Sequence, residues 1–403
     1  MKIRTLNDLD LENKTVLARV DINSPIDPES GEILDDMRIK SHLPTIDALK
    51  NSKLVLLAHQ SRPGRSDFTT LEKHARILEK LYSANVKYID CLFGSTAKKE
   101  IDSLENGAVL LLENVRFCSE ETNSEIIKRT PQEQAQTIMV KELSSYVDAY
   151  VNDAFAVSHR NQPSVVAFPP ILPSCAGKLL ESEIVNLKNV LAYEEKPRVF
   201  LMGGAKAGDS INVMKKLMKN GVVDTILTSG LVGTIFLSAS GINIGKENKR
   251  MLKARELDSI VPEARRLLKK YGEKIEMPVD LAFQKNGSRE ESSVKNYGDN
   301  QIMDVGAESI SRYRRIIEGA KIVVANGPCG VFEKEEFALG TAEMLKSVAG
   351  SNGFSVISGG HLSAMAQKLN IGNKISYIST GGKATMSFLA SEKLPGIEAL
   401  RAV

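Results

Sequence analysis

Short apolar runs alternate with longer amphipathic stretches along this chain, and that alternation limits the possible folds more than any other feature. Runs such as KLVLLAH (53–59) and AVLLLENV (108–115) are apolar almost without interruption, which is typical of strands buried on both faces of a parallel sheet. The other strand candidates are 15–22, 149–155, 198–204, 225–230, 274–283, 321–328, 354–360 and 374–380. Helical patterns separate several of them, at 68–86, 131–147, 214–221 and 251–272. We therefore expect an α/β fold with parallel sheets.

The number of strand candidates suggests more than one sheet. The chain has 403 residues, enough for two domains of ordinary size. A proline cluster followed by a long helical pattern lies at 164–195 and divides the candidates into two groups. We interpret this segment as a linker with a connecting helix, and we expect a doubly wound α/β domain on each side of it.

Composition and charge argue against several classes of protein. The formal net charge of +3 is too small to indicate a nucleic-acid partner or a membrane surface, and no apolar run approaches the roughly 18 residues of a membrane span. The N-terminal sequence MKIRTLNDLDLENK is too charged for a signal peptide. None of the four cysteines lies within metal-ligand spacing of another, which favours reduced thiols. We expect a soluble cytoplasmic protein.

The segments that follow the apolar runs differ between the two halves, and they matter because ligands bind beyond the carboxyl ends of parallel strands. In the first half these segments carry mainly basic and hydrogen-bonding side chains: Asp21, Asn23, Arg38, His59, Arg62, Arg116, His159 and Arg160. A single arginine at a strand end is more often part of a surface ion pair than a ligand. Several together favour a small polyanion, because guanidinium groups suit phosphate and carboxylate. Asp21 and Asn23 are suited to bind a hydroxyl.

In the second half the strand ends are rich in glycine. The segments are MGGAKAGDS (202–210), TSGLVG (228–233), ANGPCGVFE (325–333), SGGHLSA (358–364) and STGGKAT (379–385). Each pair of glycines alone could be a tight strand-to-helix turn, but several in one domain favour a nucleotide or another phosphorylated ligand. Neither the GxxxxGK[ST] nor the GxGxxG pattern is satisfied.

In this order, the segments resemble the motifs of the phosphoglycerate kinase family, and the resemblance covers essentially the whole chain. The motifs are RVDINSP, AHQSRP, LLENVRF, VNDAFAVSHR, GGAKA, MPVD, NGPCGVFE and STGGKA. HQSRPGRSDFTTLE and SGGHLSA resemble the archaeal branch in particular.

The resemblance implies two Rossmann-like doubly wound parallel-sheet domains joined by a hinge helix. It implies an N-terminal domain over 1–172 that binds 3-phosphoglycerate, a hinge over 173–192, a nucleotide-binding domain over 193–385, and a segment over 386–403 that packs back on the N-terminal domain. The implied reaction is reversible phosphoryl transfer between 1,3-bisphosphoglycerate and ADP, with Mg²⁺, in a monomer or homodimer.

Site residues follow from the same resemblance. The eight residues of the first half would hold 3-phosphoglycerate. The nucleotide would be bound by Gly203, Lys206, Asn326, Glu333, Gly359, Gly360, His361, Thr380 and Gly381. Catalytic roles would go to Arg38, Lys206, Gly382 and Lys383, and Arg38 would bridge the charge of the transferring group. His59 and His159 are expected to donate hydrogen bonds or orient neighbours, whereas His42 and His74 are expected to be packed core histidines.

Three positions depart from the family pattern. Ser210 replaces a lysine that faces the nucleotide phosphates, and His361 replaces the carboxylate usually associated with the metal, so no metal ligand is assigned. Lys383 stands where the family has a third glycine. One hypothesis is that Lys383 supplies the cation missing at Ser210. The alternative is that it points outward from the first helical turn and is only tolerated there.

Two other functions stay open from the residues alone. A kinase of the same fold could act on a different small acid phosphate, because arginine and histidine clusters recognise charge better than a carbon skeleton. A non-catalytic protein could also close on a phosphorylated ligand, although the presence of Arg38, Lys206, Asn326 and Glu333 argues against it.

Overall fold

Parallel sheets form the frame of both halves of the chain. The structure, a computed structural model, describes residues 3–82 and 85–401. The chain divides into two units: the first runs to Val185 and resumes at Lys393, and the second spans Asn186–Glu392. Within the described residues no helix has the length and apolar character needed to cross a membrane.

The sheet of the first unit is parallel throughout. Its strands are β1 (Thr15–Arg19), β2 (Lys53–Leu57), β3 (Val86–Tyr88), β4 (Val109–Leu111), β5 (Ala149–Asn152) and β6 (Ser174–Ala176), in the order β3-β4-β2-β1-β5-β6. Alternate side chains of one strand enter different cores, since Leu17 and Val55 pack on one face while Val16 and Leu54 pack on the other. Burial on both faces explains the uninterrupted apolar runs.

Helices cover both faces of this sheet. They are α1 (Met37–Ser41), α2 (Leu43–Ala48), α3 (Glu72–Tyr82), α4 (Ser95–Asp102), α5 (Ser119–Thr122), α6 (Pro131–Gln134), α7 (Ile138–Ser144), α8 (Pro163–Val166) and α9 (Lys178–Ala192). The helix predicted over 68–86 is found as α3, and residues 83 and 84 of that prediction lie outside the described residues. The helix predicted over 131–147 is interrupted between α6 and α7.

The expected linker at 173–192 does not stand apart from the units. Residues 174–176 are strand β6, which pairs with β5, and the remainder is mostly helix α9. The chain passes from the first unit to the second within α9, after Val185. A three-residue strand beside a proline cluster is too short to show a hydrophobic period, which is why the sequence did not indicate it.

The second unit contains a parallel sheet and a smaller antiparallel one. The strands are β7 (Arg198–Met202), β8 (Thr225–Thr228), β9 (Ile275–Glu276), β10 (Asp280–Lys285), β11 (Ser288–Ser293), β12 (Ile302–Val305), β13 (Ile322–Asn326), β14 (Phe354–Ser358) and β15 (Tyr377–Ser379). The parallel sheet has the order β15-β14-β13-β7-β8-β9, and the antiparallel sheet has the order β11-β10-β12. Read from β9, the parallel order is the 3-2-1-4-5-6 arrangement of a dinucleotide-binding fold. The predicted α/β fold with two doubly wound parallel sheets is confirmed.

The antiparallel sheet was not predicted, and the single strand expected over 274–283 is wrong. Pro278 follows β9, and the chain enters the antiparallel sheet at β10 instead of continuing. Asn286 and Gly287 then turn the chain back, both at positive φ (52° and 83°), as a two-residue hairpin requires. The Asn-Gly pair was the available signal for this hairpin.

The helices of the second unit also differ in their bounds from the patterns. They are α10 (Ala207–Lys219), α11 (Gly230–Ala239), α12 (Gly245–Ala254), α13 (Val261–Tyr271), α14 (Ala307–Glu318), α15 (Leu339–Gly350), α16 (Gly360–Lys368) and α17 (Lys383–Leu389). The helix predicted over 251–272 is divided between α12 and α13, because Glu256 takes a left-handed conformation (φ 58°). Helix α10 begins seven residues before the predicted start at 214.

The last described helix, α18 (Pro395–Arg401), belongs to the first unit. The amide of Gly396 donates to the carbonyl of Ser158 at 2.9 Å, and Ala399 packs with Val165 near α8. A Cβ at Gly396 would lie 2.8 Å from Val165 Cγ1, so only glycine permits this approach. Of the segment expected over 386–403, residues up to Glu392 lie in the second unit, and residues 402 and 403 lie outside the described residues.

Candidate active site

The carboxyl edge of the first sheet carries a cluster of charged side chains. Strands β2, β4 and β3 lie on one side of β1, whereas β5 and β6 lie on the other. The strand order therefore changes direction between β1 and β5, and open α/β sheets bind ligands at such switch points. Asp21 and Asn23 follow β1, His59 follows β2, and the segment that carries His159 and Arg160 follows β5. Residues far apart in sequence therefore meet at one edge.

Asp21 lies at the centre of this cluster and is 5% exposed. Its Oδ2 forms an ion pair with Arg38, and its Oδ1 accepts from the Asn23 amide at 3.2 Å and lies 3.8 Å from His59 Nδ1. Burial alone would raise the pKa of the Asp21 carboxyl, but the positive charge of Arg38, aided by His59 and Arg19, holds that pKa well below its ordinary value. Asp21 is thus ionised at neutral pH and holds the Arg38 guanidinium in place.

Asn23 and Arg116 brace the segment that follows β2. Asn23 Oδ1 accepts from the Ser61 amide at 2.6 Å, and the Arg116 guanidinium donates to the Ser61 carbonyl. Burial, together with the neighbouring charges of Arg160 and Arg19, lowers the pKa of Arg116 to about 10, so it remains a cation at neutral pH. Arg116 therefore both supports the backbone and contributes positive charge.

The remaining basic residues of the first half lie around this centre. Arg62 is exposed, whereas His159 and Arg160 are half-buried. Burial lowers the pKa of Arg160. The charge of Asp21 opposes this effect, and the charges of Arg19 and Arg62 add to it. Arg160 Nε is buried and has no hydrogen-bond partner within residues 3–82 and 85–401.

Arg19 is the residue that the sequence analysis missed. It ends β1, is 1% exposed, and donates through Nε to Ser164 Oγ at 2.9 Å. Its NH2 lies 3.2 Å from His59 Nδ1, and since guanidinium only donates, Nδ1 accepts. Burial holds the pKa of His59 well below its ordinary value, and the Arg19 charge adds to this while Asp21 opposes it. His59 is therefore a neutral hydrogen-bonding group. An arginine inside the apolar run VLARV was the available signal.

The two other histidines of the first half lie in the interior. His42 is 1% exposed and its Nδ1 lies 2.6 Å from Asp153 Oδ2. His74 is fully buried, its Nε2 lies 3.0 Å from Gln60 Oε1, and burial lowers its pKa to about 4. Both have the surroundings expected of packed core histidines.

The glycines of the second unit fall into two groups. Gly203, Gly204, Gly230 and Gly327 pack against one another at the carboxyl ends of β7, β8 and β13. A Cβ at Gly203 would lie 2.4 Å from the Pro328 carbonyl oxygen, and one at Gly327 would lie 2.5 Å from the Gly203 carbonyl oxygen. Close packing of backbone on backbone explains why these positions are glycine without any ligand.

The second group faces open space. A Cβ at Gly360 or at Gly382 would meet nothing within 4 Å, and one at Gly359 would approach only Asn326 Oδ1, at 3.9 Å. Gly359 and Gly382 take positive φ (99° and 50°) and precede α16 and α17. Packing therefore does not explain why these three positions are glycine. The positive φ values of Gly359 and Gly382 do favour glycine by themselves. Thr380 and Gly381 complete the turn after β15, where the Gly381 amide donates to Ser379 Oγ at 3.1 Å.

The positions that depart from the family pattern have clear surroundings. Ser210 is 6% exposed on the inner face of α10, whereas Lys206 at the start of that helix is exposed. Lys383 Nζ lies 2.9 Å from Asp209 Oδ1, and both side chains are about half exposed (47% and 48%). Lys383 thus lies beside the segment that carries Ser210 but is paired with a carboxylate.

Glu333 and His361 lie at the surface of the same unit, on segments that follow β13 and β14. The His361 ring packs against Phe332 with centroids 4.7 Å apart. Throughout residues 3–82 and 85–401, no group of three or more His, Cys, Asp or Glu side chains could hold a metal ion.

Comparison with known proteins gives the family. A model of the family described as phosphoglycerate kinase matches residues 6–392. The chain belongs to the phosphoglycerate kinase family. As a member of this family it is a kinase, a phosphotransferase of glycolysis.

The similarity extends over nearly the full length of the relatives. The phosphoglycerate kinase of Methanothermus fervidus is 48% identical over 401 residues, covering 99% of this chain and 97% of that protein. The crystal structure of the phosphoglycerate kinase from Pyrococcus horikoshii OT3 has a TM-score of 0.94 and 42% identity, covering 99% of this chain and 98% of that one. The phosphoglycerate kinase of Coxiella burnetii has a TM-score of 0.77 and 30% identity, covering 100% and 99%. The expected resemblance to archaeal members is confirmed.

Proposed function

We propose that this kinase transfers a phosphoryl group reversibly between 1,3-bisphosphoglycerate and ADP, giving 3-phosphoglycerate and ATP. Family membership supports the reaction class. The substrate assignment rests on the arrangement around Asp21. The Asp21 carboxylate holds Arg38 in an ion pair, and His59 lies beside the same carboxylate.

The chemistry of this edge suits 3-phosphoglycerate, which carries a phosphate, a carboxylate and a hydroxyl. Guanidinium groups bind phosphate and carboxylate through paired N–H donors, and Arg38, Arg62, Arg116 and Arg160 supply them. Neutral His59 adds a hydrogen bond without changing the charge. Asp21 and Asn23 would bind the hydroxyl, and the half-buried Arg160 retains an unpartnered N–H among the described residues.

We propose that the nucleotide binds at the carboxyl edge of the parallel sheet in the second unit. Open space at Gly360 and Gly382 leaves room for phosphate oxygens. Gly360 is also the first residue of α16, and the amides at a helix start favour phosphate. Asn326 Oδ1 lies near Gly359, and Lys206 at the start of α10 would supply a cation, with Gly359, Thr380 and Gly381 in the turns. Glu333 is exposed and suited to bind ribose hydroxyls.

Magnesium enters this proposal only with the nucleotide. The described residues do not fit a protein-built metal cage, since no suitable group of acidic, histidine or cysteine side chains occurs among them. Mg²⁺ retains several waters readily and is commonly bound through substrate phosphates. Most of its ligands would therefore be phosphate oxygens and water.

We propose that transfer is direct and in line, after hinge closure, with Arg38 stabilising the charge of the transferring group. An acyl phosphate is already reactive, so the protein has to align the two oxygens, neutralise charge and exclude water. A well-placed donor of this kind contributes about 3–4 kcal/mol to transition-state stabilisation. Lys383 would add a cation on the nucleotide side if phosphate displaced it from Asp209.

The proposal includes a cytoplasmic location and a monomeric or homodimeric state. All four cysteines are free, which suits a reducing compartment.

The decisive experiment is coupled turnover of 3-phosphoglycerate with ATP and Mg²⁺, on wild type and on Arg38→Ala. We expect robust wild-type turnover and a loss of about 10²–10³-fold in kcat on substitution, equivalent to about 3–4 kcal/mol. Turnover of another acid phosphate in preference to 3-phosphoglycerate would contradict the substrate assignment. Binding of both ligands without turnover would contradict the activity itself.

A further inference from the structure

His42 connects two parts of the first unit through opposite sides of its ring. Nδ1 lies 2.6 Å from Asp153 Oδ2, and Nε2 accepts the amide of Asp21 at 2.9 Å. The His42 and Asp153 side chains are 1% and 0% exposed, and Asp21 is 5% exposed, so water cannot substitute for these bonds. Loss of the His42 ring would leave the Asp21 amide buried without this acceptor.

The Asp153 carboxylate is itself fixed in place. Its Oδ1 accepts the amides of Leu179 and Leu180, at 2.9 and 3.2 Å, at the beginning of α9. A Cβ at Gly177 would lie 2.2 Å from this oxygen, so glycine is needed for the approach. Asp153 is thus an N-terminal cap whose second oxygen is directed at His42.

These contacts determine the state of the imidazole. A carboxylate only accepts, so Nδ1 donates to Asp153. Nε2 lies 2.9 Å from the Asp21 amide and 3.2 Å from the Asp21 carbonyl oxygen, and we assign it as the acceptor of the closer amide. The two contacts together hold the ring in a single orientation. Asp–His pairs of this kind orient the ring for the group on its far side.

The group on the far side is the main chain at Asp21, beyond the end of β1. There the sheet ladder has ended, and the Asp21 amide is bonded to His42 rather than to a neighbouring strand. The Asp21 carboxylate in turn holds Arg38. A shift of the main chain at Asp21 would move the carboxylate and the guanidinium together.

We infer that His42, oriented by Asp153, is a positioning residue that fixes the main chain at Asp21 and so holds Asp21 and Arg38 in place for phosphoglycerate. This inference depends on the proposed function, because it assigns the effect to the substrate bound by these two residues. It does not make His42 a group that touches the substrate.

Three variants separate this role from general packing. His42→Ala removes both bonds. His42→Gln can place an amide oxygen near the position of Nε2 and so keep an acceptor for the Asp21 amide. Asp153→Asn retains volume and can still cap α9, but its amide nitrogen would donate to Nδ1 and move the ring proton to Nε2, against the Asp21 N–H. The matched control is Leu143→Ala, because Leu143 is just as deeply buried in the first unit but lies in α7 and packs in the apolar core.

The measurements are KM for 3-phosphoglycerate at saturating ATP, KM for ATP at saturating 3-phosphoglycerate, kcat, and the melting temperature of each variant. We expect His42→Ala and Asp153→Asn to raise KM for 3-phosphoglycerate and lower kcat/KM by about 10- to 100-fold, with KM for ATP within twofold of wild type. His42→Gln should recover part of this loss. Leu143→Ala should lower the melting temperature with both KM values unchanged.

The inference is overturned if Asp153→Asn and His42→Ala lower only the melting temperature, as the control does. It is also overturned if both KM values rise in parallel, because that would indicate a general loss of packing. If His42→Ala does not fold, Asp153→Asn and His42→Gln decide the matter with the same measurements. Wild-type protein that does not use 3-phosphoglycerate would instead contradict the proposed function.

Discussion

Replacing Gly360 by alanine should stabilise the protein and weaken nucleotide binding. Gly360 is the first residue of α16, has no positive φ, and a Cβ there would meet nothing within 4 Å. Alanine at such a position stabilises by about 0.4–1 kcal/mol, because the unfolded chain loses freedom. For a unit of this size that is a rise of about 1–4 °C in melting temperature.

The expected effect on the nucleotide has the opposite sign. If a phosphate oxygen approaches the Gly360 backbone, the added methyl group occupies part of its space, and overfilling a fitted site typically costs about 1–3 kcal/mol. Because every 1.4 kcal/mol is tenfold, KM for ATP should rise by about 10- to 100-fold. KM for 3-phosphoglycerate should remain at its wild-type value.

Two further glycines provide the controls. Gly272, at the end of α13, also has open space and an ordinary φ of −56°, so Gly272→Ala should change stability by a similar amount and leave both KM values unchanged. Gly203→Ala should destabilise by at least about 1–3 kcal/mol, because its Cβ would lie 2.4 Å from a backbone oxygen. Coupled assays and thermal melts on the three variants suffice. Equal KM values for ATP in Gly360→Ala and Gly272→Ala would refute the assignment of Gly360 to the nucleotide.

Two other predictions concern the second unit. Lys383→Gly should raise KM for ATP by about 10-fold or more if the ammonium binds phosphate. Asp209→Asn frees the ammonium and should not raise KM for ATP. Unchanged turnover and nucleotide affinity in Lys383→Gly would contradict this role of Lys383. Burial raises the pKa of Asp304 to about 6 against the opposing effect of Arg289 and the Gly340 amide. Its contribution to stability is therefore present below pH 4 and is lost as pH rises through 6. The free energy of unfolding of wild type, measured in urea, should fall relative to that of Asp304→Asn by up to roughly 3 kcal/mol between pH 4 and 7, and parallel profiles would contradict this.

Much of the fold could be predicted because the responsible signals are local. Runs such as 53–59 are apolar on both faces, which only a sheet covered on both sides accommodates, and helical patterns between them require parallel connections. The division near 164–195 and the chemical contrast between the two sets of strand ends also come from neighbouring residues. The segment 274–283 failed because its apolar pattern does not tell which sheet each part joins, and that depends on pairing with Val305 and Ser293.

The α/β class, the doubly wound sheets and the residue types that reach the carboxyl edges follow from the sequence alone. The tertiary structure shows which of those residues have the same surroundings. It separates Gly203, closed by a backbone oxygen, from Gly360, which faces open space. It buries Arg19 in contact with His59. It also pairs Lys383 with Asp209, which is 174 positions away in the sequence. Periodicity and residue type are properties of adjacent positions, whereas burial, partner and open space depend on chain segments that only folding brings together.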